Sequence, residues 1–170
     1  MNIFWLLAFL LASCTGLPKG LKPVDEFDAN RYAGTWYEIA RLEQSFEKGL
    51  DNISAHYSFA EDGGIDVVNQ GRDQVTGEWK KAEGKAYFID RPTLGRLKVS
   101  FFGPFYGSYN IIALDKENYQ YSMVTGQNRS YLWILARTKT LPKATLNALI
   151  EKAKRMGFAT DKLIMVEHDP

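Results

Sequence analysis

The sequence predicts a mostly β domain, either a sandwich or an up-and-down barrel, with one helix near its C-terminal end. Three observations carry that prediction. Short β-type runs follow one another at intervals of roughly 8–15 residues, separated by turn residues. A single late segment has the helical period. Of the 170 residues, 45% are apolar and 14% aromatic, which excludes a disordered chain, and no apolar run is long enough for a polytopic membrane protein.

The chain opens on the apolar run Ile3–Leu11, too short to span a bilayer and of the length of a signal-peptide core. Its n-region has no Lys or Arg. Leu11-Ala12-Ser13-Cys14 resembles the lipobox of bacterial lipoproteins. That resemblance implies removal of residues 1–13, a diacylglycerol on the Cys14 thiol and acylation of the new amine. With Thr15 rather than Asp next, it also implies sorting to the outer membrane. Several acyl chains, at about 0.8 kcal/mol per buried CH₂, anchor a protein stably. Cys14 is the sole cysteine, so the chain forms no internal disulfide. Residues 14–28, with Gly16, Pro18, Gly20 and Pro23 and little periodicity, read as a lipidated end and an extended tether. Residues 29–170 read as the domain.

The β-type runs are Gly34–Leu42, Ile53–Ala60, Ile65–Asn69, Glu78–Ile89, Gly95–Phe102, Ser108–Asp115, Asn118–Thr125 and Ser130–Thr138. Glu61-Asp62-Gly63-Gly64 marks a hairpin turn between the second and third. Leu146, Leu149, Ile150, Ala153 and Met156 then repeat at helical spacing, with Pro142 in the expected first turn and Gly157 just past the end. A short last strand is expected over Leu163–Glu167.

Strand parity assigns an interior. Ala55, Tyr57 and Phe59 share one face, as do Leu97, Val99 and Phe101, and as do Tyr109, Ile111 and Ala113. Ser130–Thr138 is apolar on both faces, so Tyr131, Trp133 and Leu135 are expected on one side and Leu132, Ile134 and Ala136 on the other, with the helix covering one of them. Tyr57, Phe101, Tyr109 and Trp133 combine large faces with some polar tips, as in an apolar ligand cavity. The plainer reading of the same residues is ordinary core.

Gly34-Thr35-Trp36-Tyr37-Glu38-Ile39-Ala40-Arg41 matches the G-x-W-Y signature that opens the first lipocalin strand. Ala113-Leu114-Asp115-Lys116-Glu117-Asn118-Tyr119 resembles the family's middle signature, keeping the Asp but with Leu114 and Lys116 where Thr and Tyr are common. Tyr131-Leu132-Trp133-Ile134-Leu135-Ala136-Arg137-Thr138 resembles the segment that ends in a basic residue. With the lipobox and the run Lys98–Gly107, the chain resembles the lipoprotein lipocalins of bacterial outer membranes.

The resemblance implies an eight-stranded antiparallel barrel, the lipocalin calyx, with the helix outside and a short last strand. It implies that Trp36 closes the narrow end, with Arg137 across its ring and Gly34 allowing close backbone approach, and that Asp115 belongs to the same framework. It implies a small apolar ligand in the barrel mouth, and strand parity gives that cavity the lining Tyr57, Val99, Phe101, Tyr109, Ile111, Trp133 and Leu135. The expected ligand is a fatty acid or a phospholipid, lysophospholipids in particular, carried for membrane maintenance under stress. Homodimerisation is a further implied state. Neither cofactor nor metal is implied.

Lys+Arg is 21 and Asp+Glu 20, a net charge of +1, which argues against a nucleic-acid binder that relies on bulk charge. Two histidines and one cysteine cannot build a Cys/His zinc cage. No G-x-S-x-G elbow or P-loop is present, so no enzyme is expected. His56 reads as a surface histidine and His168 as part of a fraying end. Arg41, Lys48, Arg72 and Arg96 are candidates for a phosphate headgroup, each also readable as a solvated charge. A competing reading is a periplasmic barrel lipoprotein with a packed interior, acting through protein contacts as an inhibitor or scaffold.

Overall fold

A computed structural model describes residues 15–170; the expected signal segment and Cys14 lie outside the described residues. Eight antiparallel strands close into a barrel: β1 (Gly34–Arg41), β2 (Leu50–Phe59), β3 (Ile65–Asp73), β4 (Trp79–Phe88), β5 (Arg96–Phe102), β6 (Phe105–Leu114), β7 (Tyr121–Thr125) and β8 (Leu132–Ala136). Each pairs with the next, and β1 pairs with both β2 and β8, which closes the ring. Gly34–Tyr37 face Tyr57–Ser54 of β2, and Tyr37–Arg41 face Ala136–Trp133 of β8. A short ninth strand, β9 (Ile164–Met165), adds to the Ala40–Arg41 end of β1.

Alternation sorts the apolar side chains into two cores. The inner one holds Trp36, Tyr57, Val67, Leu97, Ile111, Val124 and Leu135. The outer one holds Ile39, Ala40, Ile112, Met123, Leu132, Ile134 and Ala136 against Leu149 and Ala153. Those last two residues belong to helix α2 (Lys143–Arg155). Pro142 stands just before its first turn, and Lys152, Lys154 and Arg155 sit at the negative end of its dipole. Gly157 follows with φ +86, the left-handed position that favours glycine after a helix. The two-faced β8 is divided as parity demands, with Trp133 and Leu135 inward and Leu132, Ile134 and Ala136 under the helix.

Ala113 corrects the parity reading of β6. The β6–β7 register shifts between Ile111 and Ala113, so one extra residue enters the ladder and side-chain direction flips. Ile112 and Ala113 join the outer core, while Leu114 packs against the inner one. A similar shift in β1 between Glu38 and Ala40 turns Ile39 and Ala40 toward the helix.

Residues 15–28 carry little regular structure, but they lie along the barrel. Val24 donates to the Ile111 carbonyl at 2.8 Å and accepts from Gly95 at 2.8 Å, and Phe27 donates to Thr93 at 2.9 Å. Leu17 and Leu21 pack on the outer core and Val24 and Phe27 on the inner. The packed unit therefore reaches back beyond residue 29, where the domain was expected to start. Asp28 caps the one-turn helix α1 (Ala29–Tyr32), its side chain accepting from the Asn30 amide.

The C-terminal end is also held. His168 Nε2 is 2.7 Å from the Glu38 carbonyl oxygen and its ring meets Tyr37 edge-on. Val166 donates to Ile39, Asn52 to Glu167, and Asp169 to the Asn52 side chain. The fraying expected at His168 is thus replaced by docking. Its contacts are to residues more than a hundred positions away, which no local pattern announces.

Candidate functional site

Closure of the barrel leaves an interior blocked at one end and open at the other. The β2–β3, β4–β5 and β6–β7 connections lie at the blocked end. The β1–β2, β3–β4, β5–β6 and β7–β8 connections ring the open end. Trp36, fully buried, forms the floor. Tyr32 stacks on it with centroids 4.6 Å apart, and Phe27 leans on Tyr32 at 5.1 Å.

Arg137 closes the floor from outside. Its guanidinium lies 4.0 Å from the Trp36 ring centroid. It donates to the carbonyls of Arg31 (2.6 Å), Thr35 (3.0 Å) and Tyr119 (3.3 Å). Gly34 has φ +98, the conformation that favours glycine, and a Cβ there would also crowd an Arg137 nitrogen at 3.3 Å. Asp115 shapes the β6–β7 turn, its carboxylate accepting from the amides of Asn118 and Gln120.

Above the floor lies a cavity of about 150 Å³. It shares the walls Ile53, Val99, Phe101, Ser108 and Trp133 with a wider mouth of about 600 Å³, a volume within the roughly 300–1,000 Å³ of ligand sites. Of the residues read from sequence, Tyr57, Val99, Phe101, Tyr109, Trp133 and Leu135 line the cavity. Ile111 is fully buried in the same inner core but does not line it. Phe59 lines it while remaining half-exposed.

Two polar clusters interrupt the apolar lining. In the first, the Tyr109 hydroxyl is 2.8 Å from that of Tyr32 and 2.9 Å from that of Tyr57, and Tyr32 continues to Ser122 at 3.0 Å. Burial pushes all three phenols up, Tyr32 to about 12, so they stay neutral hydroxyls able to donate and accept. In the second, the Glu38 carboxylate accepts from Arg41 at 3.2 Å, and Glu47 accepts from the Trp133 indole at 3.0 Å. Burial pushes both carboxyls above the ordinary glutamate value; Glu38 feels the Glu47 charge as well, and Arg41 opposes the rise. Two carboxyls against one guanidinium favour a retained proton.

The headgroup candidates separate. Arg41 is 2% exposed and bound to Glu38 and to the Glu47 carbonyl, so it is no solvated charge. Arg72 pins the C-terminal end through Asp51 and Asp169. Arg96 pairs with Asp90 and with the Thr15 carbonyl. Lys48 is exposed in the β1–β2 connection. His56, expected alone on a surface, is 2.9 Å from the Thr35 hydroxyl. Sequence reasoning missed Phe27 and Tyr32, which stand in or beside a segment read as tether, and the Glu38–Arg41–Glu47 cluster. A clue to the latter was Glu38 standing two residues after Trp36 on one strand face. Among the described residues no group of three His, Cys, Asp or Glu could hold a metal.

The family model described as a lipocalin-like domain matches residues 27–168. The chain is 52% identical over 162 residues to outer membrane lipoprotein Blc of Vibrio cholerae, covering 95% of each chain. It is 49% identical to outer membrane lipoprotein Blc of Escherichia coli K12, covering 94% of this chain and 91% of that one. Temperature-induced lipocalin-1 of Arabidopsis thaliana is 34% identical, covering 85% and 81%. Among solved structures, insecticyanin of Manduca sexta superposes with a TM-score of 0.71 at 22% identity, covering 91% and 87%. That last likeness concerns the fold alone.

Proposed function

The chain belongs to the lipocalin family, and on that premise we propose that it is a lipid carrier held at the bacterial outer membrane by an acylated Cys14. Its relatives at 52% and 49% identity bear the name outer membrane lipoprotein, and the outer membrane is its place. The proposed ligand is a fatty acid or a phospholipid, with lysophospholipids favoured because one acyl chain suits a narrow blind cavity. Maintenance of the membrane under stress is the proposed role. The protein acts by binding rather than by catalysis.

One observation carries the reading. The barrel is floored by Trp36 and Tyr32 and open at the other end, with an apolar cavity between. An acyl chain entering it gains roughly 0.8 kcal/mol per CH₂ removed from water. A preformed cup spares much of the ordering cost. The neutral tyrosine hydroxyls and the Glu38–Arg41–Glu47 cluster give polar contacts at two depths. The open cavity speaks against a packed barrel working only through protein contacts.

Titration with a single-chain lysophospholipid, read by tryptophan fluorescence with Trp133→Phe as the control that removes the cavity-lining indole, tests the proposal. Saturable quenching or blue shift supports it. No spectral change, with no competition by fatty acid, contradicts it.

A further inference from the structure

We propose that the open end of the barrel is a membrane-contacting surface, its apolar rim seated in the headgroup layer of the leaflet that holds the anchor. This placement rests on the anchor reading above and extends the carrier reading, since it says where the ligand enters.

The first observation is where the exposed apolar side chains stand. Phe46 in the β1–β2 connection is 66% exposed, Val75 and Trp79 around the β3–β4 connection 92% and 58%, and Phe102 and Phe105 flanking the β5–β6 turn 81% and 71%. Single exposed apolar residues are ordinary, but five on the connections of one end form a patterned surface. Phenylalanine and tryptophan are the side chains that settle at a lipid–water boundary. The blocked end differs in its apolar exposure: it carries Glu26, Asp62 and Asp90 paired with Lys116, Lys85 and Arg96, beside exposed Glu61 and Glu117, and of the large apolar residues exposes Phe59. The mouth carries charges too, with Glu43, Lys48, Glu78, Lys80 and Lys81 exposed around the apolar side chains.

The second observation is where the chain leaves the described residues. The Gly16 carbonyl accepts from Ser108 at 2.7 Å and Asn110 at 3.1 Å. Gly16 also lies against Gln127 of the β7–β8 connection, at the open end. Ser108 is three residues from Phe105, about 10 Å along the strand. Cys14, two residues before Gly16, lies within about 7 Å of it by chain length. The acyl anchor therefore leaves the protein on the mouth side, beside the apolar rim. Turning the mouth away from the bilayer would strip Gly16 from its two donors. With the rim in the headgroup layer, an acyl chain passes between leaflet and cavity without crossing water.

The test uses the mature lipoprotein reconstituted into vesicles of brominated phosphatidylethanolamine. Acylation blocks Cys14, so a single introduced cysteine takes a solvatochromic probe. Val75→Cys marks the rim and Glu61→Cys the opposite end; neither lines the cavity. A probe at 75 that is blue-shifted and quenched by about twofold or more, with the probe at 61 unaffected, supports the placement. Equal spectra at the two positions, or quenching at 61 instead, overturns it. A blue shift at 75 without quenching would mean that a second copy covers the rim, and overturns it too. The protein's mass reads acylation separately: a missing acyl increment overturns the anchor reading and this placement with it. Lipid extracted from the purified protein before reconstitution reads the carrier function on its own.

Discussion

The Arg137 guanidinium lies 4.0 Å over the Trp36 ring and donates to carbonyls from three separate parts of the chain, Arg31, Thr35 and Tyr119. One side chain thus ties α1, β1 and the β6–β7 turn together beneath the cavity floor. Arg137→Ala should lower the unfolding free energy by about 2–3 kcal/mol, through the lost ring contact and the carbonyls left without a donor. Arg137→Lys should recover less than half of that, because an ammonium cannot reproduce the planar fork. Urea unfolding of the three proteins measures it. Loss of only a few tenths from Arg137→Ala would show that the floor is held by packing alone.

Trp133 lines both cavity and mouth and donates to Glu47. Trp133→Ala should weaken lysophospholipid binding roughly tenfold by removing apolar contact surface, while the barrel stays folded. Displacement of a fluorescent fatty acid reads the affinity, and far-ultraviolet circular dichroism reads the fold. Unchanged affinity would move the acyl site away from Trp133.

Burial raises the Glu38 and Glu47 carboxyls above their usual 4.5. The folded protein therefore holds a proton at this cluster more tightly than the unfolded chain does. Its contribution favours folding most at low pH and is lost as pH climbs from the ordinary glutamate value through the raised folded one. Glu47→Gln keeps an oxygen for the Trp133 indole and removes one buried charge. It should flatten the decline in stability as pH rises above the ordinary glutamate value. Denaturant midpoints over a pH series that starts at that value test this; an unchanged slope would mean that the carboxyls are ionised in the fold.

Arg72 bridges Asp51 to Asp169, and Asp169 donates its amide to Asn52. Arg72→Ala should loosen the C-terminal end and speed hydrogen exchange at the amides of Asn52 and Val166, which bond to Glu167 and Ile39. Global stability should fall as well, because the substitution also removes the two-pronged partner of the buried Asp51 carboxylate, whereas the exposed Arg72–Asp169 pair contributes little. Exchange that is unaltered at both amides would show that His168 and Tyr37 hold the end without help.

Much of this was legible in the sequence, and what was not has identifiable causes. Period-two alternation put Leu97, Val99 and Phe101 on one face, and all three pack in the inner core although the β5–β6 register shifts between Val99 and Phe102. The same rule misplaced Ala113 because a bulge leaves no mark on composition. Trp36 and Arg137 could be paired through the family signatures, not through spacing, since 101 positions separate them. Phe27 and Tyr32 escaped notice beside Pro23 and Gly20, in a stretch whose order comes from the barrel it lies on. Arg41 looked like a solvated charge because its partners are fixed only when β1 bends over its bulge and brings Glu38 beneath it.

The central claim is that a lipid occupies the barrel. Native mass spectrometry of the mature lipoprotein, with extraction and identification of what is released, tests it most directly. The account predicts one fatty acid or lysophospholipid per chain, or per pair of chains if the protein dimerises, at reduced occupancy in Trp133→Ala. A protein that emerges empty and stays empty after incubation with both lipid classes would contradict it.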